Sequence, residues 1–243
     1  MNEAESRTTW LEPPVNPGLN RNELHIWVMT HVTDQDRLTF LRSLLDDLEL
    51  KKALRYKFDR HRNQYISAQG TLRVLLGRYL DRPPAGWCFS YTGFGKPYLE
   101  DSPLRFNLSH SHDRILFAFA PGIELGIDVE YIDPRHRDWD IARRFFHPHE
   151  IQVLDQCKGK DRMDVFYRIW TAKEAILKAC GKGLSIPLNE FSVMNPSDQT
   201  LHPTVDLEHS TWHLQELEKL TGYKAAIAAG SKVSTLKTFH FTH

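Results

Sequence analysis

The chain has only three cysteines in 243 residues, Cys88, Cys157 and Cys180, and no two of them stand at CxxC spacing. Neither a disulfide framework nor a zinc ribbon is supported. Nowhere does the sequence hold the run of about 20 apolar residues that a membrane helix needs. Its first twenty residues, MNEAESRTTWLEPPVNPGLN, lack the apolar core of a secretion signal. Nor is there an excess of charge, because 31 Lys and Arg balance 31 Asp and Glu. Chain-wide attraction to nucleic acid or to an anionic membrane is therefore not expected, although a local anion site remains open. The expectation is a soluble, cytoplasmic protein.

What is present is an ordinary globular composition, 41% hydrophobic and 26% charged, in a chain long enough to bury its own core. The first twenty or so residues read as a flexible arm. LHIWVMTHV (24–32) is a strand-length apolar run, followed by helical patterns to about residue 80, where DRPPAGW stops the second helix. Short strands and turns then run to about residue 131. Two further helical patterns (140–157 and 163–180) lead into a final third of strands. Strand, helices, strands, helices, strands is an α+β order rather than regular βαβ alternation. It divides into two similar halves, 21–120 and 121–243, after the arm at 1–20.

Several short stretches carry chemistry-bearing residues, and each has two readings. In LGIDVEYI (125–132), strand alternation sends Leu125, Ile127, Val129 and Tyr131 one way and Asp128 with Glu130 the other. Paired carboxylates on one face either belong to a solvated edge or share a hard cation such as Mg²⁺. In the helix IWTAKEAILKACGKG (169–183), Phe166, Ile169, Trp170, Ile176, Leu177 and Cys180 form an apolar stripe. Lys173 falls inside that stripe, so its ammonium must snorkel outward or meet an anion. Glu174 and Lys178, four apart, are either a surface ion pair of about 0.2–0.5 kcal/mol or a base and a phosphate-facing cation. Gly181 or Gly183 would cap the helix.

GFGKPYL (93–99) is either a hairpin turn or a turn that brings Lys96 to a phosphate, and it lacks the Walker spacing. FNLSHSHD (106–113) is a polar hairpin, a zinc site or a phosphate-binding turn. KKALRYKFDRHR (51–62) is a solvated basic face or a surface for a phosphorylated ligand.

Taken together these stretches resemble the 4′-phosphopantetheinyl transferases of the surfactin-synthetase-activating type. The motifs stand in that family's order: GKP at Gly95–Pro97, FNxSHS at Phe106–Ser111, GIDVE at Gly126–Glu130, RFF at Arg144–Phe146, and WTxKEAxxKxxGxGL at Trp170–Leu184. They span about residues 50–195, and the helix carrying Arg73 also looks like part of the family's first subdomain. The resemblance implies a pseudo-twofold α+β monomer with coenzyme A and Mg²⁺ in the cleft between its halves. By that similarity Asp128, Glu130 and Glu174 ligate Mg²⁺. Lys96, Ser109 and His110 match positions at the coenzyme A phosphates, Lys51 or Lys52 lies near the family's basic positions for the same ligand, and Lys178 faces the leaving phosphate, with Glu174 and Lys178 the catalytic pair. The implied reaction moves phosphopantetheine from coenzyme A to a serine of an apo acyl or peptidyl carrier protein and releases 3′,5′-ADP. Two other readings compete: a Mg²⁺-dependent nucleotide phosphohydrolase, and a non-catalytic module that binds coenzyme A or a carrier.

Overall fold

The computed structural model describes residues 8–14, 16–135, 139–195 and 198–242. In chain order the elements are β1 (Trp10–Leu11), β2 (Glu23–Thr30), α1 (Gln35–Ser43), α2 (Asp47–Leu54), α3 (Asp59–Leu80), β3 (Ser90–Tyr91), β4 (Pro97–Tyr98), β5 (Leu104–Ser111), β6 (Arg114–Pro121) and β7 (Leu125–Tyr131). There follow α4 (Trp139–Phe145), α5 (Pro148–Gln156), α6 (Gly159–Cys180), β8 (Thr204–Leu207), β9 (Ser210–Glu216), β10 (Tyr223–Ala229) and β11 (Thr235–His240). The fold is mixed α+β, as its element order suggested.

Two sheets pack face to face, each backed by a 22-residue helix. The first has the order β1-β11-β2-β6-β5 and the second β7-β10-β9-β8. Their facing sides share one apolar layer, with Leu24, Ile26 and Val28 from β2, Leu116 and Ala118 from β6, and Ile127 and Val129 from β7. Helix α3 covers the outer face of the first sheet through Leu72, Leu75 and Leu76 against Trp27, Phe117 and Phe119. Helix α6 covers the outer face of the second through Ala172, Ala175 and Ile176. Burial on both faces explains why β2 is apolar almost throughout, instead of alternating. One helix on one sheet, twice over, is the pseudo-twofold plan.

Local chemistry sets the helix ends. Asp46 and Glu49 form a capping box at the start of α2. Gly181, at φ 67°, ends α6 in the left-handed region, as anticipated. Arg73, 1% exposed, donates to Glu49 at 2.7 Å, Asp46 at 3.2 Å and the Trp87 carbonyl at 2.9 Å. It thereby fastens α2 to α3 and to the strands that follow.

Two features differ from the sequence expectation. The stretch read as a flexible arm is docked from Thr8 onward. Trp10–Leu11 pair in parallel with Thr238 and Phe239 of β11, Thr8 is buried, and its Oγ1 accepts from the Glu218 amide at 3.2 Å. The reason is the otherwise open edge of β11, which a short strand covers. Residues 1–7 of that arm lie outside the described residues. The C-terminal strand β11 also crosses back to pair with β2, so the first sheet is completed by residues assigned to the second half.

Candidate active site

The close approach of α6 to β7 builds the site. Gly126 on β7 lies directly under the helix: a Cβ there would come within 2.2 Å of both Ala175 O and Ala179 N. Only glycine allows that approach. Its neighbours in register on β10, Ala228 and then Ala226 beside Asp128, are small as well. The helix therefore lies low on the sheet, and Lys178 reaches Asp128. Lys178 Nζ donates to Asp128 Oδ1 at 2.6 Å and to Ser109 Oγ at 2.9 Å. It does not pair with Glu174, so the i,i+4 surface bridge is not what the helix forms.

Asp128, Glu130 and Glu174 share this cleft, and burial raises all three carboxyl pKa values. At Asp128 desolvation outweighs the Lys178 ammonium. At Glu130 desolvation outweighs the Ser111 hydrogen bond, and the Asp128 and Glu174 charges push the same way. At Glu174 desolvation and the Asp128 charge outweigh Lys178. Among the described residues no three His, Cys, Asp or Glu side chains are already gathered as a metal cage. Lys178 takes one oxygen of Asp128, and Ser111 donates to Glu130 Oε2 at 2.6 Å. Asp128 Oδ2, however, is buried without a hydrogen-bond partner. An orphaned carboxylate oxygen beside two mutually repelling carboxylates fits a hard divalent cation, which takes oxygen ligands.

The remaining residues named from the sequence fall at different distances from this centre. Ser109, on β5, donates to Asp128 Oδ1 at 2.8 Å, so its hydroxyl is committed to the carboxylate. His110 points to the other side of the strand and is exposed. Crowding by the surrounding protein, the Lys178 charge and more weakly the Lys52 charge hold its pKa below the ordinary imidazole value. Lys51 and Lys52 sit in the last turn of α2. Lys52 is the one whose charge reaches His110, and its ammonium also lies 5.2 Å from the Tyr65 ring centroid. Lys96 folds onto the end of α6, with bonds to Glu124 at 2.9 Å and to the carbonyls of Leu125 and Ala179 at 3.0 and 3.1 Å. That places a cation at the helix C-terminus, where the macrodipole favours it.

Lys173 answers the question of a cation inside an apolar stripe. It is fully buried and meets Glu150 at 2.9 Å, with the carbonyls of Leu188 at 2.8 Å and Phe191 at 2.5 Å. Glu150 in turn accepts from the Val193 and His147 amides. The lysine of the KEA triplet is therefore a core staple under the helix, and Glu174 beside it faces the cleft. Beyond Glu130 an open cavity of about 340 Å³ is lined by Ser111, His112, Tyr131, Ile141, Phe166 and Trp170 among others.

Sequence reasoning noted Asn107 and Ser111 only among the polar residues of 106–113, gave neither a role of its own, and missed the steric role of Gly126. A signal existed for the first two: polar residues at 107, 109 and 111 match the spacing of 127, 129 and 131.

A fold of two helix-backed sheets, with a carboxylate cleft under a lysine-bearing helix, defines a class that comparison identifies. The pattern of the 4′-phosphopantetheinyl transferase superfamily matches residues 124–228, the segment that carries β7, α6 and β10. The chain is 35% identical over 240 residues to the 4′-phosphopantetheinyl transferase HetI of a Nostoc species, covering 96% of this chain and 98% of that protein. It is 33% identical over 175 residues to the 4′-phosphopantetheinyl transferase Sfp of Bacillus subtilis, covering 72% and 76%. With gsp of Aneurinibacillus migulanus the identity is 30% over 185 residues, covering 72% and 73%. The chain belongs to the 4′-phosphopantetheinyl transferase superfamily and is an enzyme of that class.

Proposed function

We propose that the protein transfers the 4′-phosphopantetheine of coenzyme A to a serine of an apo acyl or peptidyl carrier protein, with Mg²⁺, as a cytoplasmic monomer. The observation that carries this reading is the buried, partnerless Asp128 Oδ2 beside Glu130 and Glu174, under a helix that also presents Lys178. Asp128, Glu130 and Glu174 would hold the ion; Lys178, His110, and Lys52 or Lys51 would face the phosphates, with Ser109 supporting Asp128. All of them come from one chain, whose halves 21–120 and 121–243 share the first sheet through β11.

An ion held by these carboxylates would supply positive charge to offset that of the pyrophosphate. Glu174, which faces the cleft from α6, takes the proton of the carrier serine. The serine oxygen then bonds to the phosphorus that carries pantetheine, and the bond from that phosphorus to the bridging oxygen breaks. Lys178 has three N–H donors and uses two, on Asp128 and Ser109. The third is free for the oxygen of departing 3′,5′-ADP.

The test is incubation with coenzyme A, Mg²⁺ and an apo carrier protein, read by intact mass. Transfer adds one phosphopantetheine to the carrier and yields 3′,5′-ADP. Coenzyme A cleaved with the carrier unmodified, or no change in either, overturns the reading in favour of hydrolysis or simple binding.

A pH signature follows from the three raised pKa values. The folded protein binds more protons than the unfolded chain between the unfolded carboxylate values of about 4 and the raised folded ones. Stability of the metal-free form therefore falls as pH rises through that window, and the loss is complete above it. Mg²⁺ offsets that loss where the groups are ionised. At a hundredfold excess over Kd, its contribution of about 2.7 kcal/mol raises Tm at pH 7.5 by roughly 5–10 °C. Near pH 4.5 protons compete with the ion and the increment shrinks towards zero. Thermal unfolding with excess Mg²⁺ or with chelator, at both pH values, checks this; an equal increment at both contradicts it.

A further inference from the structure

The two sheets present their edges, β5 and β7, to each other, and among the described residues no backbone ladder joins them. The amides of Ile127, Val129 and Tyr131 on that edge are satisfied by side chains instead. Asn107 Oδ1 accepts from Ile127 N at 2.9 Å, Ser109 Oγ from Val129 N at 3.4 Å, and Ser111 Oγ from Tyr131 N at 3.0 Å. Three alternate residues of one strand thus take over three alternate amides of the other. The interface between the halves is a ladder with side chains for rungs.

Each hydroxyl in that ladder has its direction set by the amide it accepts. A serine oxygen that receives an N–H turns its own hydrogen away from the donor. From Ser111 that hydrogen goes to Glu130 Oε2 at 2.6 Å, and from Ser109 to Asp128 Oδ1 at 2.8 Å. Each serine therefore occupies one named oxygen of one carboxylate and leaves the other oxygen of that group unspent. At Asp128 the unspent oxygen is the buried, partnerless Oδ2. The geometry points to Ser111 as a positioning residue: the rung that closes the interface of the two halves at Tyr131 also aims Glu130 into the cation site, as Ser109 aims Asp128.

The inference rests on the proposed divalent-cation site, and the test separates the two. Ser111→Ala removes the rung and Ser111→Thr keeps a hydroxyl at the same position. Binding of Mn²⁺ to the full chain is measured by electron paramagnetic resonance, without coenzyme A or carrier. Amide hydrogen exchange at Tyr131 is followed on the same proteins, and thermal unfolding verifies that they are folded. Ser111→Ala is expected to weaken Mn²⁺ binding by about 10-fold or more, the usual effect of losing a partner that orients a ligand. It should also speed exchange at Tyr131 and raise the Mg²⁺ concentration for half-maximal transfer while the KM for coenzyme A stays unchanged. Ser111→Thr restores all three.

Wild-type Mn²⁺ affinity in Ser111→Ala, alongside lost affinity in Asp128→Asn, overturns the aiming role while the cation site stands. Undiminished affinity in Asp128→Asn removes the cation site itself. Unchanged exchange at Tyr131 in Ser111→Ala overturns the rung independently of any metal.

Discussion

Replacing Glu174 by Gln lowers the rate of carrier modification by about 10²-fold or more at saturating coenzyme A and Mg²⁺, with thermal stability undiminished. Gln keeps the shape and hydrogen-bonding capacity of Glu but removes the charge that accepts a proton and helps hold the ion. Stability does not suffer because Glu174 has no ion pair to lose among the described residues: the Lys178 ammonium is on Asp128 and Ser109. Glu174 instead sits desolvated and repelled by Asp128, so neutralising it relieves strain in the metal-free protein. A solvated ion pair at the same two positions predicts the reverse, a small loss of stability with turnover intact. Near wild-type turnover in Glu174→Gln removes it from the mechanism.

Lys173→Ala produces the largest loss of stability, about 3–5 kcal/mol, because it leaves Glu150 buried and uncompensated. Both side chains are fully buried, so water does not screen the loss. The carbonyls of Leu188 and Phe191 lose their donor as well. For a chain of this size that corresponds to a fall in Tm of roughly 6–20 °C. The double replacement Lys173→Met with Glu150→Leu removes both charges at similar volume and should recover much of the loss. Urea titration of the two variants beside wild type measures it. A Lys173→Ala variant within about 1 kcal/mol of wild type contradicts the staple, since exposed pairs are worth that little.

Local pattern made part of this legible. The period of two in LGIDVEYI placed Asp128 and Glu130 on one face, and their strand does carry the apolar set on the other. The 3.6-residue period identified Lys173 as a cation within an apolar stripe, which had either to snorkel outward or to meet an anion, and it could not name that anion. Glu150 is 23 positions earlier, and only the packing of α5 on α6 brings it there. Lys96 illustrates the same limit. A lysine after two glycines suggested a phosphate, and its observed partners, the Leu125 and Ala179 carbonyls, come from segments that no local period connects.

The docking of Trp10–Leu11 and the return of β11 to β2 are long-range pairings of the same kind. Gly126 was visible as part of a motif. Its need for glycine became physical only with the backbone of α6 lying over it.

The central claim is that Asp128, Glu130 and Glu174 hold a divalent ion that transfer requires. The most direct measurement is the rate of carrier modification after the protein is stripped with a chelator and then titrated with Mg²⁺. Wild type should be inactive when stripped and recover fully with the ion, whereas Asp128→Ala, folded by thermal unfolding, should stay inactive at every Mg²⁺ concentration. Transfer by the stripped wild-type protein, or Asp128→Ala activity that tracks wild type at limiting Mg²⁺, would contradict the account.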